Sequence, residues 1–388
     1  MIHRLQSERL QQRRGSILPA IVLAMLVSGG CLALVLNEYW LASAQEELRS
    51  ATQAVALAAA RQLASDDLLQ QEMDPLQIAT NCREQAQQQA IRNPVVGPVL
   101  PQMDVHLGRV VFDPATGNRQ TLETDYSPNT VIVIGHRDRS AGNPVSLLAP
   151  LLAGRSAADV TVTVEASITN LVDGLRPFGA ATVPAWPLAV LEVSSDSKVQ
   201  TWTKEIEQRQ GTDHFRWNDQ TQQVEEQADG LPEILLKPKG QQGTNNLYLV
   251  NIGSGFQDDV LERQIQYGWS GVDLEPYEGT FSLKPGPLDL PATDNLSGVP
   301  DETLRTQMGQ VRIFLLYSMT TTTEGNINVH VTRMVAGRLM NVSASTEGPQ
   351  YVIQPAVVAT RTALLDEEAL YQGETTGNPY IYRVSITQ

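Results

Sequence analysis

The sequence predicts an α+β protein. A single N-terminal transmembrane helix continues into a helical stem, and a β-rich exported body with a few short helices follows. Three observations lead there. Ile17 to Leu36 is an apolar run without a charge, long enough as a helix to cross about 30 Å of hydrocarbon. An alanine-rich stretch with a seven-residue hydrophobic spacing comes next. Beyond about residue 105, β-branched residues alternate with polar ones. With 28 Gly and 22 Pro in 388 residues, that mix suits short strands and turns better than a helical bundle.

The apolar run defines a membrane span at 16–36. Leu18, Leu23, Leu26, Leu32, Leu34 and Leu36 each favour insertion, and no buried charge opposes them. Arg4, Arg9, Arg13 and Arg14 precede it, whereas Glu38, Glu46 and Glu47 follow. The positive-inside bias then places residues 1–15 as a basic cytoplasmic tail in an inner membrane, with the body periplasmic or extracellular. Ala42-Ser43-Ala44 fits a signal-peptidase pattern and leaves release near Ala44 as the alternative. Against cleavage, the run exceeds the roughly 7–15 residues of a secretory core, and the site falls inside a continuing helix.

Residues 37–94 read as a helical stem followed by polar helical turns. Leu41, Leu48 and Val55 recur every seven residues, interleaved with Ala44, Ala51 and Ala58. Such a stripe admits a close partner helix, so self-association through the stem is expected. Ala20, Ala24 and Ser28 form a similar small-residue face inside the span. Pro75 and Pro94 interrupt the turns beyond.

A first β-rich region is expected at 95–193. Thr130–Ile134 and Val160–Ile168 are its clearest strands, and 142–153 has room for one short helix. In Val160–Ile168 the alternation predicts one wet face carrying Thr161, Thr163, Glu165 and Ser167. Residues 194–230 are a polar insertion or linker, with a hairpin about Asn218-Asp219. A second β-rich region at 231–388 mixes strands at 247–252, 311–317, 327–332, 339–343, 351–358 and 380–386 with helices at 258–266 and 300–308.

Formal charge is −15, and the first fifteen residues carry +3 of the opposite sign. An acidic body repels phosphate backbones, which argues against nucleic acid as a partner. Cys31 and Cys82 are too few for a disulfide framework or a cysteine zinc site. The five histidines share no metal-ligand spacing. Ser254 sits in a Gly-rich turn between a strand and a helix, but Asp258 and Asp259 occupy the first turn of that helix and would repel a phosphate. Gly268-Trp269-Ser270-Gly271 lacks the last glycine of a nucleophile elbow. The acidic pairs Asp258-Asp259, Asp273/Glu275 and Glu367-Glu368 lack calcium-loop spacing. No catalytic, cofactor or metal residue is assigned. A carboxylate pair assembled by the fold keeps a membrane-tethered hydrolase open as an alternative, as does a secreted binding module.

The order of parts over Arg13 to Ala64 resembles the N-terminal segment of TadE/TadG-like proteins of the bacterial Flp (Tad) pilus system. An Arg14-Gly15 pair precedes the helix, Asn37-Glu38 forms the polar break, and Leu48 to Ala60 supplies the alanine-rich stretch. The family's central Asp is Gln53 here. Gly15 is followed five residues on by Ala20, not by the Glu of a prepilin cleavage site, which matches the unprocessed TadG-like type. "GNPVSLLAPLLAGRSAADVTVTVEASI" and the strands from Gln310 to Val358 are similar to later parts of long members. The Asp-x-Ser-x-Ser motif of their von Willebrand factor A domains is missing, since Asp138-Arg139-Ser140 continues with Ala141-Gly142. The resemblance implies an envelope scaffold or anchor whose partners are membrane lipid and other pilus or secretion components. Its working residues are Arg13, Arg14, Gly15, Leu18, Leu26 and Leu36 in the anchor, and Leu41, Ala44, Leu48, Ala51, Val55 and Ala58 in the stem.

Overall fold

A computed structural model describes residues 17–97, 99–113, 118–238, 245–296, 298–299, 301–345, 348–372 and 377–387. Arg13, Arg14 and Gly15 lie outside the described residues. The chain divides into two compact units. One comprises residues up to 55, 86–105 and 133–164, and the other 56–85, 106–132 and 165–388.

Helix α1 runs unbroken from Ile17 to Leu63, 47 residues, or about 70 Å at 1.5 Å per residue. No proline beyond Pro19 intervenes, and the helix runs straight through the polar break at Asn37-Glu38. In the first unit Ala44, Leu48, Ala51 and Val55 are buried, and Leu41 is half-buried. The stripe is therefore legible as a face, yet its partner is the chain itself. The strand Thr130–Arg137 brings Gly135 against it. A Cβ on Gly135 would lie 2.4 Å from Thr52 Oγ1 and 3.2 Å from Leu48 Cδ1, so glycine permits this closeness of helix and strand. Part of the stem face thus packs on a strand of the same chain. Ala58 is also off the stripe: it is half-buried, and Ala59, Ala60 and Leu63 are buried instead. A straight helix drifts by about 20° per heptad from a strict seven-residue repeat, which moves the buried face one residue onward.

In the second unit, Ser65 turns the chain extended after α1. Asp74 then caps α2 (Pro75–Ile91), its Oδ1 accepting from Leu76 N at 2.9 Å. Pro75 occupies the first turn, where its missing N–H costs nothing. Cys82 Sγ donates to the Ala59 carbonyl at 3.2 Å, and burial pushes its thiol up to about 12. It is a packing residue.

A six-stranded sheet contains, in spatial order, Val358–Ala359, Ile381–Ile386, Val160–Thr169, Thr130–Arg137, Gln102–Asp113 and Asn118–Glu123. The short helix α3 (Pro150–Ala153) falls in sequence between Thr130–Arg137 and Val160–Thr169. The expected wet face of Val160–Ile168 holds only for Thr161 and Thr163. Glu165 and Ser167 are buried. Glu165 accepts from Arg119 Nη2 at 3.1 Å, Thr121 Oγ1 at 3.2 Å and Thr387 Oγ1 at 3.1 Å. Those three donors repay the desolvation that the alternation pattern could not show.

The remaining large sheet closes on itself. Ala185–Leu191 pairs with Leu247–Val250, which pairs with Leu288–Thr293, then Asn326–Ser345, then Val311–Thr323, which returns to Ala185–Leu191 as the one parallel pair of the ring. Closure pairs these five strands on both sides, while Gly348–Pro355 and then Ile234–Leu236 branch from Asn326–Ser345. Asn326–Ser345 is one strand, twenty residues long, where the sequence suggests two. Nothing in the sequence marks Leu288–Thr293, because Pro291 inside it argues against a strand. Trp186 meets Phe314, and Trp269 meets Phe281, edge to face at 5.5 and 5.3 Å inside the core. Three further helices lie on the second unit: α4 (Asp258–Tyr267), α5 (Asp301–Arg305) and α6 (Glu367–Gln372). The hairpin about Asn218-Asp219 forms from Arg216–Asn218 and Gln223–Glu225.

Asp66 fastens the end of α1 within this unit. Its Oδ2 accepts from Arg338 Nη2 at 2.7 Å and its Oδ1 from Val357 N at 2.6 Å. Arg338 is buried, donates to the Gly309 carbonyl at 2.6 Å, and stacks 4.8 Å from the Trp217 ring centre. Asp66→Ala leaves a buried guanidinium without its anion, so it should cost about 3 kcal/mol. Asp66→Asn, which keeps one acceptor, should cost less. Urea unfolding followed by tryptophan fluorescence checks this, and an unchanged midpoint in Asp66→Ala denies the pairing any role.

Burial raises two carboxyls nearby, Asp229 to about 6 and Glu233 to about 7. Both folded values lie above the unfolded ones. Their stabilising contribution is therefore full below about pH 4 and lost as pH rises through 6 and 7. Glu233→Gln should flatten the fall in stability between pH 5 and 8 by up to about 3 kcal/mol. Unfolding midpoints of both proteins across that range test it.

Candidate membrane-contact site

From Ile17 to Leu36, α1 is apolar all round and exposed except at Gly30 and Ala33, which are half-buried. Leu18, Leu26 and Leu36 are 75, 68 and 48% exposed. No part of its most apolar window is buried, and among the described residues it is the one helix long and apolar enough to cross a bilayer. Soluble proteins rarely leave an apolar surface of this size uncovered. Tyr39, just past the run, is 72% exposed.

The environment changes at Asn37, which is only 3% exposed. Its Oδ1 accepts from the Ala149 N–H at 3.0 Å and its Nδ2 donates to the Ala149 carbonyl at 3.3 Å. One side-chain amide thus matches one peptide group, donor to acceptor and acceptor to donor. Trp40 Nε1 donates to the Ser146 carbonyl at 2.9 Å. Further along, Glu47 Oε2 accepts from Val96 N at 2.8 Å. Arg137, buried, donates from Nε to the Asn143 carbonyl at 2.7 Å and from Nη1 to the Val95 carbonyl. Together these bonds form a polar collar about the first turns of the stem, all within the first unit. His136 stands in the same unit between Asp104 and Asp138, with 3.2 Å to each.

The sequence names Asn37-Glu38 as the polar break, and the buried role of Asn37 was open to it. The partner loop 143–155 was not, because its bonds come from the peptide backbone, which carries no residue signature. The nearest available signal was its apolar tip, Leu147-Leu148-Ala149-Pro150-Leu151-Leu152.

The second unit holds a cleft of about 990 Å³. Its lining mixes the apolar Leu63, Leu68, Met73 and Ile78 with the polar Arg109, Arg119, Ser167, Ser385 and Thr387. Much of the polar side is already engaged. Arg119 is held by Glu165 and Ser167, and Ser167 also lies 2.8 Å from Thr130 Oγ1. Glu367 is the single carboxylate among the described lining residues, whereas a glycosidase pair needs two facing carboxylates. Ser254 donates to Asp273 at 2.8 Å, and Ser270 donates to the same carboxylate at 2.7 Å. Burial pushes the Asp273 carboxyl up, but hydrogen bonds from Arg263, Ser270 and Gln264 outweigh it and hold the group well below the usual range. A hydroxyl donating to a carboxylate locked in this way has no base to activate it. His330 pairs with Asp289 at 2.7 Å. Among the described residues, no three His, Cys, Asp or Glu side chains converge as metal ligands.

Comparison with protein-family models, with curated proteins and with solved structures returns no match for this chain.

Replacing Asn37 by Leu leaves the Ala149 N–H without its acceptor and takes one of two donors from the Ala149 carbonyl, and should cost about 1–3 kcal/mol at the collar. Trypsin reads this locally, since Arg155 is exposed at the edge of the loop. The variant should be cut after Arg155 faster than the parent in detergent. Equal rates show that Asn37 does not hold the loop.

Proposed function

We propose that the chain is a single-pass membrane protein of the bacterial envelope. Its N-terminal arginines stay in the cytoplasm and its body stands outside the inner membrane. By the resemblance of its N-terminal order of parts, it serves as a TadG-like anchor or scaffold in a Flp pilus or Tad secretion assembly. One observation carries the anchoring: the run from Ile17 to Leu36 is apolar on every face and has no buried residue. Inserted in lipid, that surface is satisfied, and the helix satisfies its own backbone there. The arginine-before, glutamate-after arrangement supports the orientation. The unprocessed reading of Gly15 supports retention of the helix in the mature chain.

Two measurements on the native protein separate the parts of this reading. Resistance to alkaline carbonate extraction, with digestion of the body by protease added to spheroplasts, is expected. A charge at Leu26→Arg, worth about 2.5–3.5 kcal/mol against insertion, should move protein to the extractable fraction. Cross-linked isolation from membranes should bring down pilus or secretion components. Carbonate release of the parent overturns the anchor, and a carbonate-resistant chain that isolates without such components overturns the assembly role alone.

A further inference from the structure

Outside the span, three of the four exposed leucines among the described residues of the first unit gather at one place, Leu100 being the fourth. Leu148, Leu151 and Leu152 are 58, 96 and 54% exposed. They project from a loop whose base is closed: Val145 and Ser146 pair with Ala158 and Ala157, and Leu147 N donates to the Ser156 carbonyl at 3.0 Å. Leu147, Ala157 and Ala158 are buried. The loop is thus a built projection, with its apolar tip turned outward.

Its position along α1 is fixed by side-chain bonds. Asn37 grips Ala149 at both peptide atoms, and Trp40 grips Ser146. Asn37 is the residue at which the apolar run ends. One turn back toward the lipid, Ala33 is half-buried while Leu32, Leu34, Val35 and Leu36 stay exposed. Residues four apart share a helix face, so the covered face of α1 begins inside the apolar run on the side that Asn37 presents to the loop.

We propose that Leu148, Leu151 and Leu152 enter the outer boundary of the same bilayer and form a second lipid contact beside the span. The inference rests on the anchoring reading above. A projecting tip suits a fluid apolar medium better than a protein partner, which would need a preformed pocket for it. Part of its backbone is already bonded within the chain. Ala149 is bonded through both N–H and carbonyl, Ala153 N donates to the Ala149 carbonyl, and Pro150 has no N–H to satisfy. Exposed Tyr39 and half-exposed Trp40 stand where aromatic residues settle at the headgroups. Arg155, exposed, follows the tip at a spacing that lets its stem lie on the apolar boundary and its guanidinium reach phosphate. A tethered patch need not bind lipid by itself, because the span already holds it at high effective concentration.

The test uses the full chain with Cys31→Ser and Leu151→Cys, leaving buried Cys82 as the native thiol. Labelled with an environment-sensitive fluorophore at 151, it is reconstituted into phosphatidylcholine–phosphatidylglycerol vesicles. Carbonate extraction of those vesicles reports the span separately. The expected result is a blue-shifted emission that headgroup-labelled quencher lipids extinguish and aqueous iodide does not. Water-like emission quenched by iodide in carbonate-resistant vesicles overturns the inference and leaves the anchor standing. Blue-shifted emission untouched by quencher lipids also overturns it, since it places residue 151 against protein. Release by carbonate removes the span and this contact together. Leu148→Ser with Leu152→Ser around the same label should shift the emission toward that of water, and no shift counts against the proposal.

Discussion

The structure turns on how one uninterrupted helix passes between two surroundings. Up to Leu36 every face of α1 is apolar and no residue is buried; from Asn37 one face is covered and Glu38 and Glu46 stay exposed. A helix keeps its backbone bonds through such a change, so the change must be made by side chains. Asn37 makes it. A buried amide is costly unless all its groups are bonded, and Ala149 offers one donor and one acceptor at the right spacing. The bond is local in effect, because a residue with a different donor pattern would leave part of the pair empty.

Beyond the collar, small residues set the packing distance. Ala44 and Ala51 keep the face shallow, Leu48 and Val55 supply the apolar area, and Gly135 lets the strand come close. A helix face of this kind serves a partner helix or a sheet of the same chain equally well, since both require small side chains at the contact. Here the sheet has it. Ala20, Ala24 and Ser28 in the apolar run, and Ala42 and Ser43 beyond it, stay uncovered.

Elements with their own periodicity were legible in the sequence. The apolar run, the stem stripe, Asp258–Tyr267 with acids in its first turn, and the Asn218-Asp219 hairpin all carry local signals. What escaped depends on distant partners. Glu165 reads as a wet-face residue until Arg119 and Thr387 are placed against it. Leu288–Thr293 contains a proline, yet its neighbours Leu247–Val250 and Asn326–Ser345 hold it in the ring. The parallel pairing of Ala185–Leu191 with Val311–Thr323 joins segments far apart in the chain and leaves no local trace. The same reason hid the collar: half of each of its bonds is backbone.

Charge tells a related story about the body. Its buried acids are handled in three ways. Glu165 is bonded to Arg119 and two threonines, Asp273 to Arg263, Ser270, Ser254 and Gln264, and Glu233 accepts from Phe215 N at 2.7 Å while its other oxygen has no partner. In the first two, every donor that might have polarised a substrate is spent on the fold. In the third, the raised carboxyl lies inside the packing, away from the residues that line the cleft. Catalytic groups need both a tuned protonation state and access to a reacting atom. The tuned groups Asp273 and Glu233 lack that access, and of the cleft's lining Arg119 and Ser167 are held by neighbours. What the molecule leaves free is surface: the apolar faces of α1 before Asn37, the leucine tip beside it, and a strongly acidic exterior. Free surface of two opposite kinds, joined by one helix, is what a chain needs in order to be held at a lipid boundary while its mass stays in water.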